Sequence, residues 1–238
     1  SLDGENVVIL EKSQEIGRVP LHNLEMIVTF GYTGASPALM GACAQRNIDL
    51  TFMTGNGRFL ARVTGEVKGN VTLRKQQYQV SENSEKSISI ARNFIFGKVY
   101  NARWILERAV RDYPLRVDVN KLKEKSRFLY HSLQEIRDCS DAPKLLGLEG
   151  EAASVYFSVF DQLILQQKED FSFGERSRRP PLNKVNAMLS FAYSLLAGMC
   201  GSALEVVGLD PYVGFYHTDR PGRMSLALDV MEELRGVM

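Results

Sequence analysis

A glutamate stands where a helix should be apolar. Leu145, Glu149, Ala152, Tyr156, Val159 and Leu163 advance by three or four residues and form one stripe. Glu149 therefore falls on the face that packs inward, whereas Glu151 lies about 200° further round and reaches water. A carboxylate in an apolar interior must be neutralised, ion-paired or bound to a cation. A buried salt bridge, a position at the edge of a cleft and a functional site all satisfy that requirement.

A second cluster lies near the end of the sequence. His217 follows Phe215-Tyr216 and precedes the turn-forming Pro221-Gly222; a single histidine is more often structural than functional. Met224 to Arg235 reads as a helix with Leu226, Val230 and Leu234 inward. On it Asp229 and Glu232 stand three apart and share a face, with Glu233 at the next position. Carboxylates this close raise each other's pKa unless a cation lies between them; a solvated acidic edge with Arg235 as partner is the alternative. One imidazole and two or three carboxylates from separate helices can make a hard-cation site. Oxygen ligands suit Mg2+ or Mn2+, and the imidazole tilts the choice toward Mn2+.

Two basic stretches offer phosphate contacts. Arg58, Arg62, Lys68, Arg74 and Lys75 oppose only Glu66, and Arg176, Arg178, Arg179 and Lys184 oppose no acid. In the second, Pro180-Pro181 stiffens the chain and displays the arginines at a fixed spot. A carboxylate-and-histidine metal site beside fixed arginines suits phosphodiester chemistry. Net charge is +1, from 29 Lys and Arg against 28 Asp and Glu, which excludes a highly basic histone-like protein.

These residues need elements to position them. The fold class is α+β, a small β-rich N-terminal domain followed by an all-helical catalytic domain. Val7–Leu10 and Met26–Phe30 read as strands, and Ser36-Pro37 opens a helix reaching about Gln45. Ile48–Met53 and Phe59–Val63 flank Gly55-Asn56-Gly57 as a hairpin. The composition then turns polar, which sets the boundaries at 1–75 for the β-rich domain, 76–87 for a linker and 88–238 for the helical domain. One helical stripe holds Ile88, Ala91, Ile95, Val99, Ala102, Leu106 and Ala109, and another Leu122, Leu129, Leu133 and Ile136. Ser140-Asp141-Ala142-Pro143 opens a third helix continuing toward Leu165, and a last one starts near Met224. Val185–Leu204 carries no charge over a span long enough to cross a bilayer, but its serines, glycines, Asn186 and Tyr193 favour a central buried helix over a membrane span. The opening residues show no secretion signal, and Cys43, Cys139 and Cys200 form neither a finger nor a disulfide framework, so a reducing cytoplasm is expected.

Three separated segments carry a resemblance. Gly147–Phe157 (GLEGEAASVYF), Arg178–Tyr193 (RRPPLNKVNAMLSFAY) and Gly214–Arg235 (GFYHTDRPGRMSLALDVMEELR) resemble the CRISPR-associated integrase family, the universal spacer-acquisition endonuclease, and Gly65–Tyr78 is similar to the link between that family's two domains. The resemblance implies a prokaryotic cytoplasmic enzyme that inserts DNA into a CRISPR array by transesterification. It also implies an N-terminal domain used for homodimerisation and a small CRISPR-associated partner protein. Double-stranded DNA would be the substrate, both as incoming fragment and as repeat. Carried over, Glu149, His217 and Glu232 become the catalytic metal ligands for Mg2+ or Mn2+; Asp229 could assist or replace Glu232, and the sequence leaves that choice open. Arg178, Arg179 and Asn186 correspond to positions along the DNA path, as phosphate contacts or supports. Family members run past this chain at the C-terminus, so the helical domain is expected to be incomplete. A stand-alone nuclease on branched DNA and a catalytically silent DNA-binding scaffold are the competing functions.

Overall fold

The computed structural model describes residues 1–66 and 71–236. The chain divides into two compact units, one of Ser1–Gly69 with Glu205–Gly208 and one of Asn70–Leu204 with Leu209–Met238.

Among the described residues the first unit holds two three-stranded sheets and one ten-residue α-helix. Strands β1 (Leu2–Asp3), β2 (Asn6–Glu11) and β3 (Gln14–Pro20) form an antiparallel meander in sequence order. The β2–β3 turn is made by Lys12 and Ser13 at φ 48° and 69°, the doubly left-handed turn whose twist suits a hairpin. The second sheet holds β4 (Met26–Phe30), β5 (Asp49–Met53) and β6 (Phe59–Val63). Helix α1 (Pro37–Arg46) crosses over between the parallel pair β4 and β5, and β6 returns antiparallel to β5. As its sequence predicts, α1 begins at the Ser36 cap, whose hydroxyl accepts from the Leu39 amide, with Pro37 in the first turn. It ends at Asn47 in the left-handed region. Val7, Leu21, Leu39, Ala42, Cys43, Ile48 and Leu50 form this unit's core.

The second unit is helical: α2 (Val71–Ser81), α3 (Ser84–Asp112), α4 (Val119–Arg137), α5 (Ala142–Phe157), α6 (Lys184–Val206) and α7 (Ser225–Leu234). Residues 76–87, expected as a linker, comprise the end of α2, Glu82-Asn83 and the start of α3. Few of α2's side chains are apolar. Its buried residue is Gln77, whose amide donates to the carbonyls of Asp210 and Val213 and accepts from the Asp210 amide. A polar side chain with its bonds made holds that helix, which hydrophobic periodicity cannot register. Lys68 of the first basic stretch lies outside the described residues.

Helix α3 packs against α4, α5 and α7. The stripes of α3 and α4, with Leu145, Ala152 and Val159, form one core, and α6 and α7 share another through Leu196, Cys200, Leu204, Leu226, Ala227 and Met231. Helix α5 stops at Phe157 rather than running toward Leu165. A 3₁₀ turn at Phe160–Leu163 follows, and Tyr156, Phe157, Phe160 and Phe173 gather into an aromatic cluster. Helix α6 buries one face and exposes Met188, Phe191 and Met199, so it is less enclosed than its uncharged sequence predicts. By length and composition alone it is long and apolar enough to cross a membrane.

Candidate active site

The helical unit brings Glu149 of α5, His217 of the loop before α7, and Asp229 and Glu232 of α7 into one region, together with Lys98 of α3. The two acids on α7 have different surroundings. Asp229 is fully buried. Its Oδ2 accepts from the backbone amides of Phe215 and Tyr216 at 2.6 and 2.9 Å. Its Oδ1 accepts from the His217 amide at 2.9 Å and meets His217 Nδ1 at 2.7 Å. Four donors occupy the roughly four acceptor positions of a carboxylate, so Asp229 has no lone pair left to offer. With only acceptor atoms facing it, Nδ1 is the nitrogen that donates to Asp229, which leaves Nε2 as the ring nitrogen turned toward Glu232. That Nε2 stands 3.9 Å from Glu232 Oε1.

Glu232 is nearly as buried, and its partners are charged groups. Arg235 reaches Oε1 at 2.8 Å and Lys98 Nζ reaches Oε2 at 2.7 Å. The same ammonium also pairs with Glu149 Oε1, whose side chain is 18% exposed, a cleft-edge position rather than the deep core. Lys98 therefore sits between the two glutamates. Among the described residues no three His, Cys, Asp or Glu side chains already converge as a ligand set. The donor types do fit a divalent cation: two carboxylates drawn together by a positive charge, beside the imidazole of His217.

Helix contacts hold this arrangement. At Gly97 an added Cβ would lie 2.8 Å from Glu233 Cγ, so the missing side chain lets α3 and α7 approach. Asn101 donates to the Glu233 carbonyl at 2.8 Å and ties the same two helices. At Gly214 a Cβ would fall 2.7 Å from Ser225 Cβ, where the His217 loop folds onto the start of α7.

A cleft of about 230 Å³ is lined by Lys98 and Arg235, the two cations that pair with Glu232. Lys98, Arg178 and Arg235 bring positive charge to it, and Tyr156, Phe157, Phe160 and Tyr193 supply aromatic surface. Arg235 and Arg176 stack over the Tyr193 ring. Burial holds the Tyr193 phenol above its ordinary pKa, opposed by Arg235 and Arg176. Burial, then the charges of Glu149, Glu232 and Asp229, push Tyr216 up. Both phenols stay protonated at neutral pH.

The expected DNA-path residues separate. Arg178 and Arg179 are exposed, and Arg178 lines the cleft. Asn186 is fully buried. Its Oδ1 accepts from Arg176 and the Ser177 amide, and its Nδ2 donates to the Glu175 carbonyl. It supports the arginine segment from beneath and is out of reach of a nucleic acid. Sequence reasoning missed Lys98, although the rule that exposed Glu149 applies to it. Lys98 stands three residues after Ile95 and four before Ala102, a cation on an apolar stripe.

The family described as CRISPR associated protein Cas1 matches residues 1–238. The chain belongs to that family. It is 50% identical over 240 residues to CRISPR-associated endonuclease Cas1 2 of Rhodospirillum rubrum, covering 99% of this chain and 69% of the relative. It is 48% identical over 235 residues to CRISPR-associated endonuclease Cas1 1 of Chlorobaculum tepidum, covering 99% of this chain and 68% of the relative. Among solved structures, a casposase bound to integration product superposes with a TM-score of 0.76 at 24% identity, over 100% of this chain and 67% of that one; at that identity the likeness speaks to the fold. As a member of the Cas1 family the chain is a CRISPR-associated endonuclease.

Proposed function

We propose that Glu149, His217 and Glu232 hold one Mg2+ or Mn2+ ion, and that this site joins the 3′-hydroxyl of an incoming DNA fragment to a CRISPR repeat. The observation that carries the reading is the saturation of Asp229. Because its acceptor positions are filled, Glu232 is the acid on α7 with a ligand's role, and Asp229 is a positioning residue that aims His217 Nε2. A bound divalent ion supplies Lewis acidity to the phosphoryl oxygens and offsets the charge that builds on them.

The chain's own residues do the rest. Arg178 and Arg235 bring positive charge to a phosphate in the cleft. The 3′-hydroxyl loses its proton and bonds to phosphorus, while the repeat's own 3′ oxygen leaves and takes a proton up. The fragment is thereby joined with no change in the number of phosphodiester bonds. With water in place of the 3′-hydroxyl, the same geometry cuts DNA. By family resemblance, the chain acts on double-stranded DNA in a prokaryotic cytoplasm, as a homodimer through its β-rich unit and with a small CRISPR-associated partner. The free thiols of Cys43, Cys139 and Cys200 suit a reducing compartment.

The test is strand transfer. The chain, its small partner and Mn2+ are mixed with a labelled 3′-hydroxyl duplex and a supercoiled plasmid bearing the repeat. Joined product that disappears with Glu149→Ala or with chelator is expected. Cutting without joining would reduce the function to nuclease action, and well-folded protein that binds DNA without altering it would overturn the reading.

A further inference from the structure

The feature that the reaction does not explain is Lys98. Its ammonium bridges Glu149 and Glu232, the two carboxylates assigned above to the metal, and its side chain also lines the adjoining cleft with Arg178 and Arg235. A lysine so placed competes with a divalent cation for the same oxygens, since two like charges within a few ångströms of one another exclude one another. Its flexible four-carbon stem permits a second position, and the cleft into which it already faces is the place where a phosphate would receive it.

We propose that Lys98 is an internal counter-cation. It holds the two glutamates together until a divalent ion displaces it, and it then turns toward the cleft to meet a DNA phosphate. Metal and DNA would thereby favour each other's binding through one side chain, because each rewards the same movement of Lys98. Such coupling is reciprocal by thermodynamic necessity. Gly97 and Asn101 fix the backbone on either side of Lys98 against α7, so the motion belongs to the side chain and not to the helix. The inference rests on the metal-site reading above.

The test is Mn2+ binding, followed by the electron paramagnetic resonance of the free ion, for wild type, Lys98→Met, Lys98→Gln, Lys98→Arg and Glu149→Gln. With the competing charge removed, Lys98→Met and Lys98→Gln are expected to bind Mn2+ about tenfold more tightly than wild type in the absence of DNA. Lys98→Arg, which keeps the charge, should bind no more tightly than wild type. A short DNA duplex should tighten Mn2+ binding in wild type by a larger factor than in Lys98→Met. Two neutral variants guard against one failing to fold, with circular dichroism as the check.

If Glu149→Gln abolishes Mn2+ binding while both neutral variants bind like wild type or more weakly, the counter-cation role is overturned and the metal site stands. If Lys98→Arg gains as much as the neutral variants, charge is not the cause and the role is again overturned. If wild type binds no Mn2+, or Glu149→Gln binds as wild type does, the metal-site reading falls and this inference falls with it.

Discussion

The two units differ in how deeply they bury carboxylates: the least exposed pair of the sheet unit, Arg62–Glu205, leaves its glutamate 26% exposed, whereas Asp229 and Glu232 of the helical unit are 0% and 4% exposed. In the sheet unit the pairs Arg18–Asp3, Arg18–Glu15 and Arg46–Glu5 lie toward water, and the core beneath them is aliphatic apart from Cys43. In the helical unit Asp229 and Glu232 are buried, each with several charged or polar partners. A buried thiol does not separate the units, because burial raises both Cys43 and Cys200. Buried carboxylates do. Ion pairs at the surface contribute about 0–1 kcal/mol; the buried carboxylates are what place the proposed site in the helical unit.

That contrast can be broken by substitution. Glu149→Ala should lower DNA joining and cleavage by about 10³-fold or more, measured under single-turnover conditions, with the folded state intact by circular dichroism. Activity within tenfold of wild type would remove the helical unit's claim to the chemistry. Asp229→Asn should come next. An amide can accept from the loop but cannot match the charge facing His217, and Mn2+ affinity should fall about 10–100-fold. An unchanged affinity would mean that the aim of His217 does not depend on Asp229.

In the sheet unit the largest effect should be on stability alone. Leu50→Ala removes a fully buried side chain and should cost about 2–5 kcal/mol in urea unfolding, with Mn2+ affinity unchanged. A smaller effect is expected at high pH. Cys200 is pushed to about 11 from 9.0 by burial, so the unfolded chain loses this proton first. The stability that the neutral thiol contributes is therefore complete below pH 9 and is lost as pH climbs toward 11. Alkaline unfolding should be shallower in Cys200→Ala over that window. Glu5→Ala, which removes an exposed partner of Arg46, should change stability by no more than about 0.5 kcal/mol.

Much of this was legible in the sequence where local rules govern. The Ser36-Pro37 start of α1, the Gly55-Asn56-Gly57 hairpin and the stripes of α3 and α4 follow from capping, turn chemistry and period. Strand β3 was not legible. None of its residues Gln14–Pro20 is buried, Ile16 points to water, and its turn uses Lys12 and Ser13 where glycine or asparagine would have announced positive φ. In the site, Glu149 was visible as an acid on an apolar stripe; Lys98, though it passes the same test, was not picked out. The division of labour between Asp229 and Glu232 was not, because it depends on where the backbone of 215–217 returns after leaving the chain's regular elements. Spacing on α7 puts both acids on one face and cannot say which of them that loop consumes.

The hold of Asp229 on three successive backbone amides has a kinetic consequence. The stretch Phe215–His217 cannot peel away one residue at a time, since every partial opening leaves a buried carboxylate short of donors. Its amide protons should therefore exchange with solvent in step, at one shared rate set by a single opening event. The histidine loop would behave as an added turn of α7 and stay in place or leave as a piece.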